Sequence, residues 1–493
     1  MAFDDSAKIK TGIPELDVVL RGGLPAARVH LLEGHPGTGK TTMALCYLIQ
    51  GVKAGERCLY VALSESEEEL HASARSHGWR LDGVDVMEVV VDESRLERQQ
   101  SVFASGEFGL GETVAAITER VQQVRPTRIV IDSLAELRLM ADDPMRYRRQ
   151  VMALRRHLQA VGATTLLLND ITAEREYDLQ ALVHGVLSLE MIERDYGAAR
   201  RRLHVVKMRG ADFQSGWHDF AIQRGELLVF PSLIADEHGR AFEAAEEATG
   251  IPALDAMLGG GLPRGSTTML IGPSGVGKSS LALHFLVAAT KRGQRAACFS
   301  FDEAEASVRE RSRALGIDFD GVVERGALHW ERGNPSRISP GEFVWKVRRQ
   351  VEDHDARIVV IDSLNSYLET MPEERALMLQ MHELLTYLAN QGVVVVLILA
   401  QKGVVGSVEN PIDLSFLSDT LVLLRFFEAE GRIRKAISVV KKRTGRHENG
   451  IHEFELSAQG VQIGPAFVQF EGVLTGELRP AEANAPGRAN AEG

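Results

Sequence analysis

Cysteine is scarce in these 493 residues: the three present, Cys46, Cys58 and Cys298, show no paired spacing, which argues against a disulfide framework or a thiolate metal site. They read as small apolar fillers. Basic residues are also in deficit, with 56 Lys and Arg against 68 Asp and Glu and a formal net charge of −12. That balance opposes sequence-independent attraction to phosphate backbones, so nucleic acid ranks low among expected partners. Long hydrophobic runs are missing too. The most apolar stretch, Val393 to Ala400, is far shorter than the roughly 20 residues of a membrane span and reads as a buried strand. Met1 to Lys10 carries Asp4, Asp5, Lys8 and Lys10 and no apolar centre, so it does not read as a secretory signal and a cytoplasmic location is expected.

What is present fits a soluble globular chain, with 44% hydrophobic and 25% charged residues, and the length exceeds what one core usually supports. An internal repeat divides it. Thr11-Gly12-Ile13-Pro14-Glu15-Leu16-Asp17 returns 238 residues later as Thr249-Gly250-Ile251-Pro252-Ala253-Leu254-Asp255. Gly22-Gly23-Leu24-Pro25 returns as Gly260-Gly261-Leu262-Pro263, and Val205-Val206-Lys207-Met208-Arg209 as Val439-Val440-Lys441-Lys442-Arg443. Duplication explains this, since each half then buries its own core. The polar stretch from Asp236 to Ala248 reads as a linker, giving expected domains at residues 1–240 and 241–476 and a flexible tail at 477–493.

In each half, short β-branched runs alternate with longer amphipathic segments, the pattern of parallel strands joined by helices. The expected strands are Cys58–Leu63, Arg128–Asp132, Thr164–Asn169 and Leu203–Met208, then Ala297–Phe301, Ile358–Asp362, Val393–Leu399 and Ala436–Val440. Both halves are thus expected to be α/β, with a ligand at the carboxyl ends of the strands.

The first half contains Gly34-His35-Pro36-Gly37-Thr38-Gly39-Lys40-Thr41 and the second Gly272-Pro273-Ser274-Gly275-Val276-Gly277-Lys278-Ser279. Both fit the phosphate-binding loop G-x-x-x-x-G-K-[ST], each between an apolar run and a helix-compatible segment. Glycine lets backbone N–H groups close around phosphates, Lys40 and Lys278 neutralise outer oxygens, and the hydroxyls of Thr41 and Ser279 are expected to ligate Mg²⁺. Thr42 and Ser280 continue each loop into its helix. ATP and Mg²⁺ are accordingly the expected cofactors.

Two apolar strands end in Asp132-Ser133 and Asp362-Ser363, where the aspartate would help place the metal. A carboxylate is also needed to orient the attacking group, and Glu65 and Glu303 sit at equivalent strand ends. Their predecessors differ, Ser64 in one copy and Asp302 in the other. The acids Glu67 to Glu69 read as a solvated first helical turn, and the basic runs Arg146–Arg149 and Arg200–Arg202 as exposed faces or subunit contacts.

Taken together, these motifs resemble the KaiC family over almost the whole chain, including Phe467 to Gly476 before the tail. The resemblance implies two tandem RecA-like P-loop NTPase domains with largely parallel central sheets. It implies a hexamer with ATP between subunits, ATP hydrolysis in the first domain, and serine/threonine autophosphorylation in the second. It also implies that Lys207, Arg209, Lys441 and Arg443 reach a neighbour's nucleotide, as an arginine finger does. The family's catalytic acid pair falls on Ser64-Glu65 and Asp302-Glu303, so the catalytic set is Glu65, Asp302 and Glu303, and the first pair is incomplete. Its acceptor pair falls on Ser415 and Phe416 and a further acceptor on Asn410, which leaves Ser415 as the candidate phosphoacceptor. The tail is a place for signalling partners to bind. Two other readings remain: a RecA/RadA-like DNA-dependent ATPase, against which stands the largely uncharged segment from Gly403 to Leu417, and a nucleotide-gated scaffold with negligible turnover.

Overall fold

The repeated T-G-I-P-x-L-D motif forms the same device twice. Asp17 Oδ1 accepts hydrogen bonds from the backbone N–H and hydroxyl of Thr11, each at 2.9 Å, and Asp255 Oδ1 does so from Thr249, each at 2.7 Å. Proline sits in the first turn of the short helix that follows, where its missing N–H costs nothing. The motif is therefore structural, tying each half's entry segment to its first helix.

The computed structural model describes residues 7–89, 107–141, 143–171, 177–194, 197–334, 336–369, 374–401, 415–467, 470–471 and 479–480. Contacts divide the chain into two units, Met1–Ser232 and Leu233–Gly493.

In the first unit a nine-stranded sheet is built from β1 (Val29–Gly34), β2 (Cys58–Ala62), β3 (Val84–Glu88), β4 (Arg128–Asp132), β5 (Thr164–Asp170), β6 (Gly185–Ile192), β7 (Arg200–Met208), β8 (His218–Gln223) and β9 (Glu226–Phe230). Their spatial order is β9-β8-β7-β6-β1-β5-β4-β2-β3. The pairs from β6 to β3 are parallel, and β7, β8 and β9 extend one edge antiparallel. In β1, Val29 and Leu31 face one core with Ile129, Ile131 and Leu158, while Leu32 faces the other with Tyr60, Val130 and Leu48. Both faces are covered by helices, which is why these strands read as continuous apolar runs.

The second unit repeats the topology with β10 (Thr267–Pro273), β11 (Arg295–Ser300), β12 (Leu328–Arg332), β13 (Ala356–Asp362), β14 (Val394–Gln401), β15 (Thr420–Ala429), β16 (Arg432–Lys442), β17 (Ile451–Ser457) and β18 (Gly460–Ala466). Its order, β12-β11-β13-β14-β10-β15-β16-β17-β18, is that of the first sheet read from the other edge. The expected fold class, two α/β domains with largely parallel sheets, is what the chain adopts. In the segment read as a linker, Glu246–Glu247 forms a short strand with Leu262–Pro263, as Lys8–Ile9 does with Leu24–Pro25. In the segment read as a tail, Arg479–Pro480 pairs with Phe470–Glu471, and residues 481–493 lie outside the described ones. Among the described residues no helix is long and apolar enough to cross a membrane.

Candidate nucleotide sites

Each phosphate loop leaves the carboxyl end of its sheet's central strand, β1 or β10, and enters a helix, Lys40–Lys53 or Lys278–Lys291. The residue before each helix must take a left-handed backbone, φ 104° at Gly39 and 118° at Gly277, which glycine adopts without strain. A side chain there would also collide, with Ile222 Cδ1 at 2.7 Å or Leu456 Cδ1 at 2.6 Å. Lys40 Nζ donates to the carbonyls of Gly34 and His35 at 2.8 and 3.0 Å, and Lys278 Nζ to those of Gly272 and Pro273, both at 2.8 Å. The amine thus curls back into its own loop, where outer phosphates would be met. Thr38 and Val276 are fully buried beneath the loops, and Thr42 and Ser280 are buried one turn on.

In the first unit Thr41 Oγ1 donates to Asp132 Oδ2 at 2.8 Å, and Tyr60 donates to the same oxygen at 2.6 Å. Burial pushes the Asp132 carboxyl above the usual aspartate range, and burial followed by Asp132 and Glu69 does the same to Glu65. In the second unit a cavity of about 500 Å³ opens at the loop, lined by Lys278, Ser279, Asp302, Glu303, Arg311 and Asp362 among others. Ser279 hydrogen-bonds Asp362, whose carboxyl burial raises to about 6, with Glu303 and Asp302 adding to the rise. A hydroxyl and a carboxylate converge in each unit beside a curled lysine, a hard-oxygen donor set that fits Mg²⁺ bound together with phosphates.

The copies differ around this shared frame. Lys40 Nζ pairs with Asp170 Oδ1 at 2.6 Å, but the strand register puts Ala400 at the matching place in the second unit. Burial lowers the Lys278 amine to about 8. Glu303 is ion-paired with Arg311, and its other oxygen is buried without a hydrogen-bond partner; the residue at the matching position in the first unit is Ser73. Asp302 accepts from Ser366. The first unit reverses that pair: Ser64 matches Asp302, and Glu136, four residues beyond Asp132, matches Ser366, four beyond Asp362.

Lys207, Arg209, Lys441 and Arg443 lie away from the phosphate loop of their own unit. Gly185 pairs with Met208 and with His30, at the opposite end of β1 from the loop, and Thr420 pairs with Lys442 and Thr268 in the same way. Lys207 bonds the Gln180 carbonyl, Arg209 the Ala181 carbonyl at 3.1 Å, Lys441 the Ser418 carbonyl at 2.7 Å, and Arg443 pairs with Asp419 at 3.4 Å. Beside them, Val206 and Val440 stay 39% and 52% exposed. Ser415 begins a 3₁₀ turn, Ser415–Leu417, and Phe416 is exposed, while Asn410 lies outside the described residues. Tyr60, Asp170, Arg311 and Ser366 are site residues that the sequence reading missed, as it did the match of Glu136 to Ser366. Asp170 had a usable signal, an acid immediately after the expected strand Thr164–Asn169.

The sequence model of the KaiC family of ATPases matches residues 9–233 and again 247–467. The chain is 27% identical to the Circadian clock protein KaiC3 of Synechocystis sp., covering 96% of this chain and 95% of that protein. It is 28% identical to the Circadian clock oscillator protein KaiC of Thermostichus vulcanus and 27% to that of Acaryochloris marina, covering 95% of this chain and 91% of each relative. With two nucleotide-binding loops on two copies of one topology, this chain is a member of the KaiC family of ATPases.

Proposed function

We propose that the chain is a cytoplasmic signalling ATPase that hydrolyses ATP at the interfaces of a homo-hexamer and phosphorylates itself on Ser415. The carrying observation is the shared cluster at each loop: a curled lysine, a hydroxyl bonded to a buried aspartate, and a glutamate on the neighbouring strand end. In this reading Gly34 to Thr42 and Gly272 to Ser280 hold the phosphates. Thr41 with Asp132, and Ser279 with Asp362, hold Mg²⁺, which when bound neutralises charge on the transferring phosphoryl group. Glu65 orients the attacking water in the first domain, and Glu303 with Asp302 accepts the proton of the attacking hydroxyl in the second.

The first domain would regain its second carboxylate through Glu136, which occupies the place of Ser366 while Ser64 occupies that of Asp302. Lys207, Arg209, Lys441 and Arg443 would act on the neighbouring subunit's nucleotide, since each sits at the sheet end opposite its own loop. Exposed Val206 and Val440 beside them support a subunit contact there. The domains run 1–240 and 241–476, and the tail from 477 presents a segment to signalling partners.

The test is intact mass and phosphate release after incubation with Mg·ATP. A phosphate adduct absent from both Ser415→Ala and Glu303→Gln, with phosphate release reduced by Glu65→Gln, is expected. No adduct and no release from a protein that still assembles with ATP would instead mark a nucleotide-gated scaffold, the reading that the Glu303–Arg311 pair favours. Stimulation of release by single-stranded DNA would favour a DNA-dependent motor.

A further inference from the structure

A second cavity, of about 520 Å³, lies in the second unit away from its phosphate loop and takes in Arg240, Phe242, Arg264, Arg295 and Arg357. The ring of Phe242 lies against two glycines: a Cβ on Gly392 would meet its ring atoms at 2.5 to 2.9 Å, and one on Gly265 would meet its Cζ at 2.7 Å. Both glycines have positive φ, 71° and 70°, so backbone conformation and close approach alike reserve these places for glycine. One side of the ring is thereby seated on backbone, yet Phe242 remains 40% exposed. An aromatic side chain held rigidly with an open face is a stacking platform.

Guanidinium groups surround that platform. Arg240 and Arg357 share Asp355, at 3.4 and 2.7 Å, and Arg264 pairs with Glu247 at 2.6 Å. Glu247 also takes Arg292 at 3.3 Å, and Glu243 is a third carboxylate in the lining. Arg295 is exposed and its side chain has no hydrogen-bond or ion-pair partner among the described residues. Cations therefore outnumber the carboxylates, and they are presented as planar forks suited to phosphate oxygens. The first unit keeps only part of this set: Arg57 stands at the place of Arg295, but at the positions of Arg264, Arg292 and Arg357 its sequence carries Ala26, Ala54 and Thr127, and there Arg128 turns into the core on Glu56. Since both units keep one topology, shared folding requirements do not account for Arg264, Arg292 and Arg357.

We propose that this cavity is a third nucleotide site, distinct from the two phosphate loops, in which a base stacks on Phe242 and phosphates lie among Arg264, Arg295 and Arg357. Its volume falls within the range of small-ligand pockets. The inference does not depend on hydrolysis at the loops.

Equilibrium dialysis of the full chain with Mg²⁺ and a labelled, non-hydrolysable ATP analogue tests it. One nucleotide per chain is expected beyond those held by the phosphate loops. It should be lost in Arg264→Ala/Arg357→Thr, which installs the first unit's residues, and in Phe242→Ala, while both loop nucleotides are retained as evidence of folding. The same stoichiometry in wild type and both variants would overturn the proposal. Excess AMP should displace the extra nucleotide, and inorganic phosphate at the same concentration should not. Equal displacement by phosphate would overturn the assignment to a nucleotide.

Discussion

Replacing Asp362 with asparagine should stabilise the second domain while abolishing its chemistry. Asp362 is 8% exposed, and burial with nearby Glu303 and Asp302 lifts its carboxyl from the ordinary 3.8 to about 6. At about 1.4 kcal/mol for each tenfold change in an ionisation constant, holding that group charged costs the folded state about 3 kcal/mol at neutral pH. The sign follows from the raised value. The folded state favours the protonated acid, so this contribution is fully present below about pH 4 and is lost as pH rises through 6. Asparagine keeps an oxygen to accept from Ser279 and never ionises.

The assay is urea unfolding in chelator without nucleotide, in a Trp79→Phe/Trp217→Phe background that leaves Trp330 and Trp345 to report the second unit. At pH 8 the Asp362→Asn midpoint should rise by about 1 M, for a denaturant slope of about 3 kcal/mol per M. At pH 4 the two proteins should unfold together. An equal gain at both pH values, or a loss at pH 8, would refute the claim that the buried charge burdens the fold.

Other expectations follow from the differences between the copies. Arg128, 2% exposed, is bonded to Glu56 and to the carbonyls of Lys10 and Tyr47. Arg128→Ile, the residue at the matching place in the second unit, should destabilise the first unit by about 3–5 kcal/mol, read from Trp79 and Trp217; adding Glu56→Gln should recover part of that loss. Because the Lys278 amine is lowered to about 8, ADP affinity at the second loop, measured in a Lys40→Ala background, should fall about tenfold per pH unit above 8. Gly277→Ala, forced to φ 118° and into Leu456 at 2.6 Å, should cost about 1–3 kcal/mol of strain and weaken nucleotide binding at that loop by tenfold or more in calorimetry. Glu136→Gln should lower phosphate release in a Glu303→Gln background and leave nucleotide binding intact.

The phosphate loops, the paired Asp132 and Asp362 strands and the duplication were legible because each is local: a fixed spacing, an apolar run, a repeated string. Strand bounds moved by a few residues, as with Leu203–Met208, which begins at Arg200 because the alternating Arg200 to Arg202 still bonds across to β6 and β8. The hairpins β8–β9 and β17–β18 were not foreseen, since short half-polar strands at a sheet edge lack a strong period. Asp170 and Tyr60 became site residues through the sheet order. The first reaches Lys40 because β5 lies beside β1, the second reaches Asp132 because β2 lies beside β4, and neither adjacency is written in a neighbouring residue. The Glu303–Arg311 pair spans one helix entry and needed side-chain geometry.

Both sheets carry the phosphate loop at one end and the basic strand end, Lys207 to Arg209 or Lys441 to Arg443, at the other. A sheet polarised in this way has unlike ends to offer, so copies stacked with the loop of one on the basic end of the next would join head to tail. Head-to-tail contacts either close into a ring after a set number of copies or run on as a helix. In the proposed assembly, the angle between successive copies would decide between a closed ring and a filament.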